Sequence, residues 1–216
     1  MAARNENSIL IFARAPVPGD VKTRLIPLLG AHGAASLHRR LTEHALAVAH
    51  ESGIGPVELW CTPSIDDAFF QRSHERFKAE LHLQCEGDLG MRMLDAFENA
   101  LGRSRHVLLI GSDCPSMTGA DLWTAVRALR DGRDAVFCPA QDGGYTLIGL
   151  RHAMPALFDA ITWGTGSVME ETRQRLRILG WRWHELPTQW DVDLPEDYAR
   201  LVSEGWMENA APGRQA

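Results

Sequence analysis

His106-Val107-Leu108-Leu109-Ile110-Gly111-Ser112-Asp113-Cys114-Pro115-Ser116 is the stretch on which the fold turns. Its aliphatic run shows no alternation of apolar and polar residues, the pattern of a strand buried on both faces. The run ends in Gly-Ser-Asp, which lands one carboxylate on the turn just beyond the strand, where open α/β sheets place ligand chemistry.

Working outward, apolar runs of strand length recur at 8–13, 57–61 and 81–85. Helix-like segments lie between them, at 34–50 with Leu37, Leu41, Ala45 and Val48 at helical spacing, and at 65–79, 89–101 and 120–130. Thr118 is placed to cap the last of these by accepting from the backbone of Asp121 or its neighbour. This alternation predicts a largely parallel sheet with helices on both faces. After residue 133 the rhythm changes. Runs at 134–139 and 145–150 are joined by Ala140-Gln141-Asp142-Gly143-Gly144, too short for a crossover helix, so the sheet is expected to be mixed. A helix at 167–179, a strand at 181–186 and a helix at 195–202 complete the elements, and Asp193 is a candidate N-cap for the last.

The 216 residues, 45% hydrophobic and 23% charged, suit one domain over 1–208 with a core that needs no staples, followed by a flexible tail at 209–216. A net charge of -6 argues against nucleic acid as a partner. Cys61, Cys85, Cys114 and Cys138 form no C-x-x-C pair and read as small hydrophobes rather than zinc ligands or a disulfide framework. Cys114 lacks an activating neighbour. None of the nine histidines forms a ligand pair of helical spacing. Ile9-Leu10-Ile11-Phe12 is too short for a secretory leader, and no segment approaches the roughly 20 apolar residues of a membrane span, so a soluble cytoplasmic protein is expected.

Six loops carry candidate chemistry. The first, Arg14-Ala15-Pro16-Val17-Pro18-Gly19-Asp20-Val21-Lys22-Thr23-Arg24, joins three cations to a stiffened backbone suited to a diphosphate. It is not a P-loop, because Val21 stands where that motif needs Gly. In Gly87-Asp88-Leu89-Gly90-Met91-Arg92, Arg92 in the first helical turn could face a ligand, while Asp88 either lines the site or caps the helix. Asp113 is the strongest metal candidate, since Mg²⁺ is usually held by one or two carboxylates with water and phosphate oxygens, and Asp191 or Asp193 would supply the second. These two flank Val192, so in an extended segment both point the same way. Asp142 sits at a tight Gly-Gly turn and has a turn-only explanation as well. Trp163 in Trp163-Gly164-Thr165-Gly166-Ser167 and Tyr145 could stack on a sugar ring or belong to the core; the glycines there do not make a dinucleotide fingerprint.

The order of these motifs, Phe12-Ala13-Arg14-Ala15-Pro16 through Lys22-Thr23-Arg24-Leu25, then Gly87-Asp88-Leu89-Gly90, Gly111-Ser112-Asp113-Cys114-Pro115, Asp142-Gly143-Gly144-Tyr145 and Asp191-Val192-Asp193, resembles a bacterial glycosyltransferase-A-like family. That family is similar to nucleotide-diphospho-sugar transferases and, more distantly, to guanylyltransferases of molybdenum-cofactor and deazaflavin-coenzyme synthesis. The likeness spans roughly residues 8 to 203. It implies a three-layer α/β/α sandwich with a mixed, mostly parallel sheet. It further implies that Arg14, Lys22 and Arg24 engage phosphates, that Asp88 and Arg92 line the nucleotide side, and that Asp113 with Asp191 or Asp193 binds Mg²⁺ or Mn²⁺. The family's Asp-x-Asp is reduced here to Ser112-Asp113-Cys114, with one carboxylate. The implied activity is transfer of a sugar from a nucleotide diphosphate-sugar to a small acceptor, with Asp142 and Asp113 catalytic and Tyr145 and Trp163 on the substrate. The alternatives are nucleotidyl transfer from an NTP to a phosphorylated small molecule with release of pyrophosphate, and a nucleotide-binding protein without catalysis. A homodimer is the general expectation for a small enzyme.

Overall fold

The structure, a computed structural model, describes residues 4–206. The expected tail at 209–216 lies outside the described residues. The chain alternates β1 (Asn5–Arg14), α1 (Ile26–Glu51), β2 (Val57–Thr62), α2 (Ala68–Phe77), β3 (Glu80–Leu83), α3 (Leu89–Leu101), β4 (Ser104–Ile110) and α4 (Gly119–Arg130). It continues with β5 (Ala135–Pro139), β6 (Tyr145–Leu150), α5 (Pro155–Phe158), α6 (Val168–Ile178), β7 (Trp183–Glu185) and α7 (Pro195–Ser203). The strands form one sheet in the order β3-β2-β1-β4-β6-β5-β7. β6 runs antiparallel to β4 and β5, and the other pairings are parallel. The sheet is therefore mixed, as the short 140–144 connection requires.

β4 shows why three layers form. Leu108 and Ile110 join one core with Leu46 of α1, Phe70 of α2 and Val126 of α4, whereas Val107 and Leu109 join a second with Met93 and Phe97 of α3, Leu157 of α5 and Met169 of α6. Successive side chains point to opposite faces of a strand, so an unbroken aliphatic run feeds both cores. Each such side chain contributes about 1.5–3 kcal/mol when fully buried. A third cluster, Leu25, Leu37, Leu41, Trp190, Val192 and Leu201, fastens the C-terminal segment and α7 to α1.

Two differences from the sequence reading have local causes. α1 starts at Ile26 rather than near residue 34, with Pro near its start and a kink at Gly30 (φ 70°) that separates its first turn from the amphipathic remainder. Asp193 does not cap α7: the carboxylate of Asp197, one turn inside, accepts from the backbone N–H of both Asp193 and Leu194, and this frees the Asp193 side chain. Thr118 does cap α4, in a reciprocal box with Asp121.

Candidate functional site

The C-terminal ends of β1 and β4 and the start of β6 open onto a cavity of about 520 Å³. Asp113 reaches it from the turn after β4. Lys22 reaches it from the first loop, where its own left-handed backbone (φ 46°) turns the chain into a single 3-10 turn, Thr23–Leu25. The Lys22 ammonium lies 3.0 Å from Asp113 Oδ2 and 3.9 Å from Asp193 Oδ1. Its side chain is 7% exposed, against 37% for Asp113 and 40% for Asp193, so the cation forms the floor and the carboxylates the wall. Arg24 is exposed and donates to Asp193 Oδ2 at 2.5 Å.

Asp191 and Asp193 share the cavity because buried Val192 between them is drawn into the third core, while its N–H donates to the Asp113 carbonyl at 3.0 Å. That bond stitches the two acidic loops together across the chain. Gln141 and Gln189 extend the seam, the Gln141 N–H donating to the Gln189 carbonyl at 3.0 Å. Asp142 lines the same cavity, with Oδ1 accepting from the Gly144 N–H at 2.9 Å. Gly143 (φ 90°) has to be Gly, since a Cβ there would lie 2.1 Å from the Gly166 carbonyl oxygen. The close approach brings the Trp163–Ser167 loop over the site.

The charges are unevenly compensated. Burial works against Lys22, yet its hydrogen bond and attraction to Asp113, with help from Asp193 and Asp191, raise its pKa above the usual lysine value. Burial likewise opposes ionisation of Asp113, and Lys22 reverses the effect and holds the carboxyl below its ordinary range. Asp191 has no such partner. Burial first, then repulsion from Asp113 and Asp142, push it up to about 6.

Of the sequence candidates, Lys22, Arg24, Asp113, Asp142, Tyr145, Trp163, Asp191 and Asp193 converge on this one cavity. Three others do not. The Arg14 guanidinium turns to the Asp20 carbonyl at 3.4 Å, Asp88 caps α3 by accepting from Met91 N–H at 2.9 Å, and Arg92 Nε donates to the Gly87 carbonyl at 3.0 Å. Local backbone groups without partners have claimed these side chains, as helix starts and turns commonly do. Tyr145 faces the cavity only in part. Its ring packs edge-on against Phe137 and its hydroxyl lies toward Met93 Sδ, which is core packing rather than a free stacking face.

A family model described as "Uncharacterized protein conserved in bacteria (DUF2064)" matches residues 45–165. The chain belongs to this family. A solved structure from Desulfovibrio desulfuricans G20, described as a "putative nucleotide-diphospho-sugar transferase", matches with a TM-score of 0.83 and 30% identity over 95% of this chain and 90% of the other. A 4-diphosphocytidyl-2C-methyl-D-erythritol synthase from Anaerococcus prevotii DSM 20548 matches with a TM-score of 0.62 and 11% identity, over 94% and 99% of the two chains. A Mycobacterium tuberculosis H37Rv protein solved in complex with manganese matches at 0.59 and 15%, over 93% and 100%. No curated protein matches the sequence. This DUF2064 member therefore has the glycosyltransferase-A-like, nucleotide-diphospho-sugar transferase fold.

Among the described residues, no three His, Cys, Asp or Glu side chains are gathered closely enough to hold a metal by themselves. The donor chemistry of this DUF2064 cavity nevertheless suits a hard dication, because Mg²⁺ uses only one or two carboxylates and takes its other ligands from water and phosphate. Asp191, raised by burial first and then by two neighbouring carboxylates, marks negative charge that Lys22 only partly compensates. One residue of this neighbourhood escaped the sequence reading. His38, on the inner face of α1, is 6% exposed, and its Nε2 lies 2.9 Å from the Arg14 carbonyl at the exit of β1. Burial lowers its pKa, and the bond to the Arg14 carbonyl opposes this only in part. An imidazole at helical spacing among Ala34, Leu41 and Ala45 was the available clue.

Proposed function

We propose that this protein is a divalent-metal-dependent transferase that moves the sugar of a nucleotide diphosphate-sugar to a small acceptor. The observation that carries the reading is the single cavity in which Lys22 and Arg24 meet Asp113, Asp142, Asp191 and Asp193 beneath Trp163. Asp113 and Asp191 are the residues to hold Mg²⁺ or Mn²⁺, which when bound would neutralise charge on the diphosphate. Lys22 and Arg24 supply the point charges for the diphosphate oxygens. As the bond from the anomeric carbon to the phosphate oxygen breaks, its electron pair leaves with the nucleoside diphosphate, and these fixed cations stabilise that charge where it develops. Asp142 Oδ2 makes no hydrogen bond among the described residues, so it is free to take the acceptor proton as the acceptor oxygen bonds the anomeric carbon. Trp163, half-buried at the rim, offers the stacking surface.

Nucleotidyl transfer from an NTP to a phosphorylated small molecule uses the same parts. It is favoured by the near-complete mutual coverage with the Anaerococcus synthase, whose name carries a diphosphocytidyl group. A thermal-shift panel of UDP-, GDP-, CDP- and dTDP-sugars and of NTPs, each with Mg²⁺, Mn²⁺ or EDTA, tests both readings. A metal-dependent shift followed by release of nucleoside diphosphate supports glycosyl transfer. Release of pyrophosphate promotes the second reading, and a flat panel overturns both.

A further inference from the structure

At the opposite end of the sheet, where β1 and β4 begin and β6 ends, lies a second cavity of about 820 Å³ that the proposed chemistry does not use. Its lining is basic in a chain whose net charge is -6. Arg105 comes from β4, Arg151 and His152 from the segment after β6, and Arg130 from the end of α4; Glu6 supplies the single carboxylate of the lining. That carboxylate reaches Arg130 Nε at 3.9 Å and His106 Nδ1 at 3.9 Å and is shared between them. Arg4 is occupied otherwise, its guanidinium donating to the carbonyls of Ser104 and Leu101. Arg105 and Arg151 form no side-chain hydrogen bond or ion pair among the described residues. The local field reaches His106: burial lowers its pKa, Glu6 opposes, and Arg151 and Arg130 lower it further.

Guanidiniums held together without counter-charges repel one another, and a concave wall of low dielectric strengthens that repulsion. Their planar forks match phosphate oxygens in pairs, whereas a single monoanion would leave most of this charge unmatched. The cavity volume falls within the range of small-ligand sites and the lining converges from two strands, the segment after a third and a helix end, which favours a small molecule over an extended polymer. We propose that this far cavity is a second ligand site, independent of the transferase site, and that it binds a small molecule bearing two or more phosphates through Arg105 and Arg151, with Arg130 and His152 completing the wall.

The test is titration calorimetry of the full chain with pyrophosphate and tripolyphosphate, at ionic strength held constant with chloride. Saturable binding is expected, stronger for tripolyphosphate. Arg105→Gln with Arg151→Gln should weaken it at least tenfold. Because Lys22 and Arg24 are the proposed phosphate cations of the front cavity, Lys22→Met with Arg24→Ala should remove any front-cavity component and leave the far-cavity component within about twofold, as should neutralising the exposed pair Arg39→Gln with Arg72→Gln. The five altered arginines are at least partly exposed, so folding is preserved and circular dichroism verifies it. Absence of saturable binding overturns the proposal. So does loss of binding with the Lys22/Arg24 variant and not with the Arg105/Arg151 variant, or an equal loss with Arg39/Arg72. Because the front-cavity variant is measured in parallel, failure here leaves the transferase reading standing.

Discussion

Two regions of this molecule set carboxylates against cations, and they do so in opposite ways. Glu58 on β2, 3% exposed, accepts from Trp60 Nε1 at 3.1 Å and from Arg103 at 2.9 Å, while His82, stacked on Trp60 at 4.8 Å, lies 3.5 Å away. Both of its oxygens are matched and it lines none of the cavities described above. At the other end of the strands, Asp113, Asp142, Asp191 and Asp193 share one buried cation, Lys22, and one exposed one, Arg24. A closed network satisfies a buried charge and stops there, whereas an open one retains an excess that a ligand can relieve. The excess at the front cavity, more than the number of its acidic residues, is what sets the proposed site apart from structural bracing.

The widest split between the two regions should appear in turnover. Asp113→Ala is expected to lower kcat/KM about 10²–10³-fold, as removal of a charge-stabilising group does. It should also cost about 2 kcal/mol of stability, because Lys22 loses its nearest partner. Adding Lys22→Met should return the melting temperature and leave activity absent. Recovery of activity in the double variant would place the chemistry elsewhere. Glu58→Ala should do the reverse. With Arg103 Nη2 and the Trp60 N–H left without an acceptor, stability should fall by about 2 kcal/mol, or roughly 4–8 °C in Tm, with kcat per folded molecule unchanged. A fall in kcat beyond the folded fraction would break the contrast.

Asp191 sharpens it through pH. In the metal-free protein its carboxyl titrates at about 6, against an ordinary value of 3.8. Between these values the folded state holds the extra proton, so stability falls as pH rises, and the full penalty is present above pH 6. Asp191→Asn in EDTA should therefore raise stability at pH 7.5 by about 1–2 kcal/mol, discounted for its partial exposure, and the gain should vanish near pH 4. Urea unfolding at the two pH values measures it, and a variant that is destabilised at pH 7.5 would show that the excess charge is already compensated. The smallest effect concerns the rim. A Cβ on Gly90 would lie 2.7 Å from the Trp163 indole Nε1, so Gly90→Ala should displace the ring and weaken donor binding by about 1 kcal/mol, roughly fivefold. Fluorescence titration of the donor should match that of Trp163→Ala; unaltered binding in both variants would remove Trp163 from the site.

The periodicity of single segments was legible at once, because a side chain's direction along a helix or strand is a local property. α3 at Leu89–Leu101 and β6 at Tyr145–Leu150 occupy the expected residues, and the short Asp142-Gly143-Gly144 connection called for the antiparallel pair that interrupts the sheet. The acidic turns were visible too, each following or preceding an apolar run. What the turns do there depended on competition for partners. Asp88 and Asp142 were both candidates beside glycines, yet Asp88 is committed to a helix start while Asp142 keeps one oxygen toward the cavity.

Composition and apolar spacing thus determined by themselves that this chain would build a mixed sheet between helical layers with carboxylates at the strand ends. Tertiary structure alone decided that Lys22 meets Asp113 across 91 residues, that the Val192 N–H ties a C-terminal turn to the Asp113 carbonyl, and that four arginines from separate elements ring a cavity at the far end. The reason is physical: periodicity is written in neighbouring residues, whereas the distance between remote charges is set by strand order and register, which every packed layer fixes together.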